Sequence, residues 1–186
     1  MARLRKFVAY RRLKRPYTRT SKFKAEAYIR MTPTVKIVRF DTGDTSKTFG
    51  CTLNLLSKSD LQIRDNALES ARQTSNRLLE SYLGLNGFHM KVKVYPYQVI
   101  REHALAAGAG ADRFSSGMAH SFGKPAGIAA RIKKGQAIFT VNVDKQNLGV
   151  ARQALERASK KLPCSCTIEV IEKKAIEIEK KKQILS

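Results

Sequence analysis

The stretch NALESARQTSNRLLESYLGLNGFHMKVKV, residues 66–94, contains a helical pattern followed by a strand pattern. Asn66 and Glu69 stand three positions apart, which is the spacing of a capping box and predicts where a helix begins. One face of this helix collects apolar or small side chains, which are Leu68, Ala71, Ser75, Leu78, Leu79 and Tyr82. Gly84 predicts its end, because glycine readily adopts the backbone conformation of a helix C-cap. The stretch therefore predicts an amphipathic helix that covers a sheet.

The strand pattern of this stretch has one apolar and one basic face, because the residues at 90, 92 and 94 alternate with His89, Lys91 and Lys93. His89 is accordingly predicted to be a surface or RNA-facing side chain and not a catalytic base. Further strands are predicted at 35–40, which stops at a turn cluster at 41–44, and at 49–55, 128–132, 137–143 and 166–171.

A second amphipathic helix is predicted over residues 147–162 and ends at Pro163. Its apolar stripe comprises Ala151, Ala154, Leu155, Ala158 and Leu162. The order of elements predicts a single α+β domain over residues 34–171, with mostly antiparallel strands and two packed helices. Residues 172–186 are charged with mixed sign and are expected to form a helical tail outside the core.

The charge of the chain is concentrated at its N-terminus. The 186 residues contain 36 Lys+Arg and 15 Asp+Glu, a net charge of +21, and residues 1–40 alone contribute +12. Such an excess of positive charge indicates a polyanionic partner. Residues 1–33 are therefore predicted to be a basic RNA-binding arm, whose aromatic residues either stack on bases or hold the arm against the domain. No apolar run is long enough to span a bilayer, so no membrane partner is expected.

Enzymatic and metal chemistry are not expected. Three cysteines (Cys51, Cys164 and Cys166) form neither a disulfide framework nor a zinc signature, so reduced thiols are expected, with Cys51 facing the core. The sequence Gly-Ala-Gly-Ala-Asp at 108–112 lacks the Gly-Lys-Ser/Thr ending of a nucleotide-binding loop. We therefore predict no catalytic residue, no metal and no cofactor.

The region 103–127 contains five of the eleven glycines and little periodicity. Glycines allow close approach of backbone to a partner, so residues 103–125 are interpreted as a glycine-rich loop that inserts between RNA strands. A mobile surface loop that orders only on binding is compatible with this interpretation.

Several motifs resemble a ribosomal protein family, called L-ten-e in archaea and eukaryotes and L-sixteen in bacteria. They are RPYTR (15–19), KIVRFDTG (36–43), NALESAR (66–72), VYPYQVIRE (94–102), GAGADRFSSGM (108–118) and FGKP (122–125). The resemblance covers about residues 15–171 and favours the archaeal or eukaryotic branch. It implies an α/β-hammerhead-like domain in the large subunit of cytoplasmic ribosomes, bound to ribosomal RNA near the base of the central protuberance.

The resemblance further implies that the loop at 103–120 points toward the peptidyl-transferase region and aminoacyl-site transfer RNA, and that neighbouring ribosomal proteins are partners. The expected loop residues are His103, Gly108, Gly110, Asp112, Arg113, Gly117, Met118 and His120. The residues expected to bind ribosomal RNA are Arg3, Arg5, Lys6, Arg11, Arg12, Lys14, Arg15, Tyr17, Arg19, Lys22, Lys24, Lys91, Lys93 and Lys124. The alternative is a basic DNA- or chromatin-binding protein, although no helix-turn-helix or zinc pattern supports it.

Overall fold

A computed structural model describes residues 6–13, 23, 29, 31–102 and 124–172. Its strands are β1 (Asp41–Gly43), β2 (Cys51–Ser57), β3 (Leu61–Arg64), β4 (Phe88–Val92), β5 (Gln98–Glu102), β6 (Lys124–Ile132), β7 (Ala137–Val143) and β8 (Cys166–Glu172). Its helices are α1 (Asp65–Leu83) and α2 (Leu148–Ser159), with 3-10 turns at Phe7–Ala9 and Lys145–Asn147. No helix within the described residues is long and apolar enough to cross a membrane.

The strands form two antiparallel sheets, one of five strands in the order β1-β4-β7-β2-β8 and one of three in the order β3-β6-β5. Residues of both sheets and of both helices contribute to one hydrophobic core, in which Leu53, Leu79, Phe88, Phe139 and Leu155 are completely buried. The prediction of a single α+β domain with mostly antiparallel strands and two packed helices is therefore confirmed.

The predicted capping box at the start of α1 is wrong. The helix begins at Asp65, and its N-cap residue Arg64 makes no side-chain cap hydrogen bond. The carboxylate of Glu69 instead accepts hydrogen bonds from Arg72 at 2.6 and 2.8 Å and from Gln73 at 2.8 Å. The Glu69 side chain, which would have closed the capping box, is thus engaged in a buried ion pair with Arg72.

The buried face of α1 differs from the prediction at its last turn. Tyr82 is 69 % exposed, whereas Leu83 packs against the core. The buried stripe follows steps of four residues from Ala71 through Ser75 and Leu79, and a further step of four leads to Leu83.

The predicted strand at 35–40 is also wrong, although residues 35–38 alternate between inward and outward side chains. The backbone N–H of Lys36 donates to the Asp65 carboxylate of α1 at 3.1 Å, and the N–H of Val38 helps to lower the pKa of Glu69. Strand pairing begins only at Asp41, inside the predicted turn cluster. Gly43 of β1 has φ +87°, and a Cβ there would collide with the carbonyl of Phe88.

Three strands were not predicted from the sequence, β1, β3 and β5, and β6 begins at Lys124 instead of residue 128. Residues 124–127 therefore belong to a strand and not to the glycine-rich region. The other predicted strands and the second helix are confirmed, with ends shifted by up to three residues. Residues 103–123, residues 173–186 and most of the arm lie outside the described part of the chain.

Candidate nucleic-acid interface

Four segments of the chain, at 10–12, 57–61, 133–136 and 163–165, meet at one end of the domain. Ser57 N–H donates to the carbonyl of Gln136 at 3.1 Å, and Gly135 N–H donates to the carbonyl of Ser57 at 2.8 Å. Lys58 N–H donates to the carbonyl of Ser165 at 3.1 Å. These backbone hydrogen bonds hold the turns between strands against one another, so that side chains distant in sequence share one surface.

The N-terminal segment is attached to this end through β3. Gln62 N–H donates to the carbonyl of Arg11 at 2.9 Å, and the Gln62 side-chain amide donates to the carbonyl of Arg12 at 3.0 Å. The guanidinium group of Arg64 lies 5.5 Å from the ring centroid of Phe7 and 4.9 Å from that of Tyr10. These two rings therefore hold the arm against the domain. This was one of the two interpretations of the aromatic residues of the arm, the other being stacking on RNA bases.

The surface formed at this end, which we call the basic end, comprises the exposed residues Arg11, Arg12, Lys58, Lys133 and Lys134. Asp60 lies among them, and one of its carboxylate oxygens accepts a hydrogen bond from Lys134 N–H at 2.6 Å. Within the described residues, none of the five cationic side chains has an ion-pair partner. Their charge is therefore available to an external anion.

A cavity of about 460 Å³ opens beside the two arginines. It is lined by Arg11, Arg12, Ser59, Asp60, Leu61, Pro163, Cys164 and Ser165. Guanidinium groups and hydroxyls are the side-chain donors that bind phosphate oxygens. The lining therefore suits a phosphate group better than an apolar ligand.

The outer face of the five-stranded sheet has a different character. Its side chains form a hydrogen-bonded row across four strands, from Asp41 through His89 and Asn142 to Thr52, with distances of 3.1, 3.1 and 2.8 Å. Since the amide nitrogen of Asn142 donates to Nδ1 of His89, the proton of the neutral imidazole is assigned to Nε2, which donates to Asp41. Lys91 Nζ also lies 3.3 Å from Asp41.

The side chains of Asp41, His89 and Lys91 on this outer sheet face satisfy one another. Partial burial acts to raise the pKa of Asp41, but the hydrogen bonds from His89 and Lys91 hold it below its ordinary value. The side chain of His89 is only 16 % exposed, and both of its ring nitrogens have partners. His89 therefore lies on the outer face of the sheet, at its predicted surface position, with both ring nitrogens bonded to neighbouring side chains of the domain.

Other predicted site residues are dispersed over the described surface. Lys6 is exposed at the first 3-10 turn and Lys93 just beyond β4, while Lys124 is exposed at the start of β6. Lys124 is the register partner of Glu102, the last residue of β5. The two ends of the intervening segment 103–123 are therefore held side by side on neighbouring strands.

The remaining predicted residues lie outside the described residues. These are Arg3, Arg5, Lys14, Arg15, Tyr17, Arg19, Lys22 and Lys24 of the arm and His103, Gly108, Gly110, Asp112, Arg113, Gly117, Met118 and His120 of the loop. In contrast, Lys58, Lys133 and Lys134 were not predicted as site residues. The Lys-Lys-Gly turn between two strands was the available signal for the latter two.

The three cysteines are free thiols, and Cys51 is buried as predicted. Across the described ranges, no group of three or more His, Cys, Asp or Glu side chains is placed to hold a metal ion. The part of the site that the structure describes is thus a cationic surface with a polar cavity.

Comparison with known proteins gives a consistent result. The family model for ribosomal protein L16p/L10e matches residues 13–169. The large ribosomal subunit protein uL16 of Methanococcus maripaludis is 44 % identical over 163 residues, which cover 88 % of this chain and 91 % of the relative. The uL16 of Archaeoglobus fulgidus is 43 % identical over 164 residues, covering 88 % and 90 %, and that of Methanococcus aeolicus is 42 % identical over 168 residues, covering 90 % and 94 %.

Proposed function

Because the chain belongs to the ribosomal protein L16p/L10e family, and is thereby a structural constituent of the large ribosomal subunit and not an enzyme, we propose that it binds ribosomal RNA through its arm and its basic end. The binding site is near the base of the central protuberance, and neighbouring ribosomal proteins are further partners.

The observation that carries this proposal is the convergence of five exposed cations at the basic end, none of which has an ion-pair partner in the described part of the chain. Each Lys or Arg that neutralises a phosphate releases condensed counterions, so such a surface gains affinity for a polyanion in a salt-dependent manner. The cavity beside Arg11 and Arg12 offers a place for one phosphate group. Because these contacts are to the sugar-phosphate backbone of the RNA, they fix the position and orientation of the protein without reading the base sequence.

We further propose that the glycine-rich loop extends toward the peptidyl-transferase region and helps to shape the site of aminoacyl-site transfer RNA. The register pair of Glu102 and Lys124 supports this role, since adjacent strands give the segment 103–123 a fixed base from which to extend. A rigid base with a glycine-rich tip suits a loop that must approach RNA closely.

RNA binding is tested by comparing the affinity of the full chain for a large-subunit ribosomal RNA fragment and for duplex DNA of equal length at matched salt. The expected result is tighter binding to the RNA fragment, together with sedimentation of the protein with large subunits in moderate salt. Equal affinity for duplex DNA, or recovery of the protein only in the ribosome-free fraction, would support the DNA-binding alternative.

The loop is tested separately by shortening residues 106–116. The variant should unfold at the wild-type temperature, because β5 and β6 pair outside the deleted segment, and large subunits that carry it should accommodate aminoacyl-transfer RNA more slowly. Unfolding of the isolated variant, or unchanged accommodation, would contradict this role while leaving the RNA-binding proposal intact.

A further inference from the structure

Two of the three thiols lie against each other at the start of β8. The Sγ atoms of Cys164 and Cys166 are 3.6 Å apart, and both residues are half-buried. Cys51, in contrast, is only 2 % exposed in the core. A disulfide requires an S–S distance of about 2.05 Å, so the pair needs an approach of about 1.5 Å to form a bond. The chain therefore contains one adjacent dithiol and one sequestered thiol.

The two thiols differ in their surroundings. Cys164 lines the cavity that is also lined by Arg11 and Arg12, so a reagent can reach it from an electropositive opening. The hydrogen bond from Cys166 lowers the pKa of Cys164 to about 7, against the opposing effect of burial and with help from Ser57. The same hydrogen bond raises the pKa of Cys166. Cys164 is thus the better nucleophile, and Cys166 is its protonated neighbour.

We propose that Cys164 and Cys166 form a thiol–disulfide exchange site that takes a small anionic disulfide into the arginine-lined cavity. The Cys164 thiolate attacks one sulfur of the reagent, forming a mixed disulfide and releasing one thiolate. Cys166 then loses its proton to solvent and attacks Cys164 Sγ, which closes the Cys164–Cys166 disulfide and releases the second thiolate. The two cysteines lose two electrons, which reduce the reagent to two thiolates.

The probe is dithiobis(nitrobenzoate), an aromatic disulfide with two carboxylates, applied to the full chain at pH 7. The wild type should release two aryl thiolates in the fast phase and show a mass two hydrogens below the reduced chain, with no aryl group retained. Cys51 should react more than about tenfold more slowly, because a buried thiol reacts only from opened conformations. Retention of the aryl group, or modification of Cys51 in the fast phase, would overturn the proposal.

Single variants assign the two steps. Cys166→Ser should release one aryl thiolate and retain the adduct on Cys164. Cys164→Ser should react at least about threefold more slowly. A thiol with a pKa near 7 has a larger thiolate fraction at pH 7 than an ordinary thiol, and this gain exceeds the loss from the lower nucleophilicity of its thiolate. An unchanged rate in Cys164→Ser would contradict the assignment. In the wild type, peptide masses at early times should show the transient aryl group on Cys164, which requires no variant.

The contribution of the cavity is tested with Arg11→Ala/Arg12→Ala and two reagents. This variant should slow the anionic probe about two- to fivefold, as expected for two nearby charges in solvent, and leave the neutral reagent dithiodipyridine unaffected. Equal slowing of both reagents, or of neither, would show that the arginines do not guide the disulfide into the cavity. Because no RNA is present, a failure here is independent of whether the basic end binds ribosomal RNA.

Discussion

The basic end and the outer sheet face both display lysines among polar side chains, yet only one of them leaves its charge unpaired. At the basic end the lysines come from turns between strands and the arginines from the N-terminal segment, and no carboxylate of the described residues forms an ion pair with any of them. On the outer sheet face Lys91 lies beside Asp41 of the neighbouring strand, and His89 is enclosed in a row of hydrogen bonds. Because the available charge depends on the tertiary neighbours, we expect the number of lysines in a segment to be a poor measure of its affinity for RNA.

The largest effect is expected from removing charge at the basic end. In Arg11→Ala/Lys133→Ala/Lys134→Ala, the slope of log affinity for ribosomal RNA against log salt should fall by about 2–3, at about 0.7–0.9 for each lost phosphate contact. The measurement is a salt titration of binding to a large-subunit RNA fragment.

The matched control removes the same number of charges elsewhere. Lys47, Lys145 and Arg152 each have a carboxylate partner, at 3.1, 3.6 and 4.0 Å respectively. Replacing all three with Ala should leave the salt slope nearly unchanged. If both triple variants lower the slope equally, net charge alone determines binding and the distinction between the two regions fails.

A smaller effect is expected from detaching the arm. Phe7→Leu/Tyr10→Leu removes two ring contacts to the Arg64 guanidinium, each worth roughly 0.5–1 kcal/mol. The backbone N–H of Gln62, which donates to the carbonyl of Arg11, should then exchange its hydrogen with solvent about 5- to 30-fold faster. The slope of log affinity against log salt should fall by no more than about 1.8, which is the contribution of two phosphate contacts, one each from Arg11 and Arg12. Unchanged exchange would show that the rings do not hold the arm.

Helical and strand periodicity predicted most of the fold, and the pattern is clearest in α1, α2, β2 and β4, which each bury one face. The strands β3 and β5 were not predicted, and for a common reason. β3 has only four residues, and both β3 and β5 pair with β6 across a large sequence separation, as in Leu61 with Ile132. The segment 35–40 shows the converse. The N–H of Lys36 donates to the Asp65 carboxylate of helix α1, and alternation along the segment cannot reveal a partner in a helix.

The candidate site was predicted only where charge is dense along the chain. Arg11 and Arg12 belong to the arm and were identified by composition. Lys58, Lys133 and Lys134 lie in a chain region with ordinary composition, and they join the arginines only because the turns between β2 and β3 and between β6 and β7 meet. Conversely, Lys91 was included on the basis of alternation, which could not show the ion pair with Asp41.

Lys91 and Lys93 provide a sharper test of this point, because they are neighbours on one strand pattern and differ in pairing. Lys93 has no ion-pair partner among the described residues, whereas Lys91 lies 3.3 Å from Asp41. Lys93→Ala should lower the salt slope by about 0.7–0.9, the value for one phosphate contact, and Lys91→Ala by less than half of that. If the two variants lower the salt slope equally, Lys91 leaves its ion pair with Asp41 and contacts a phosphate when RNA binds.

The smallest effect concerns the stability that the outer sheet face gains from its internal pairing. Asp41→Asn keeps the shape of the side chain but removes the charge that faces Lys91, so the Tm should fall by about 1–2 °C at pH 7, as for an exposed ion pair in a chain of this size.

Because the folded-state pKa of Asp41 is lowered from 3.8, the stabilisation is fully present above pH 3.8 and is lost as the pH falls through the lower folded-state value. The Tm difference between wild type and variant, measured by thermal unfolding across this window, should therefore shrink below pH 3.8. It should also be smaller at pH 7 when Lys91→Met is present in both chains. A difference that persists in acid would assign the effect to packing, and the outer sheet face would then differ from the basic end in shape but not in the pairing of its charges.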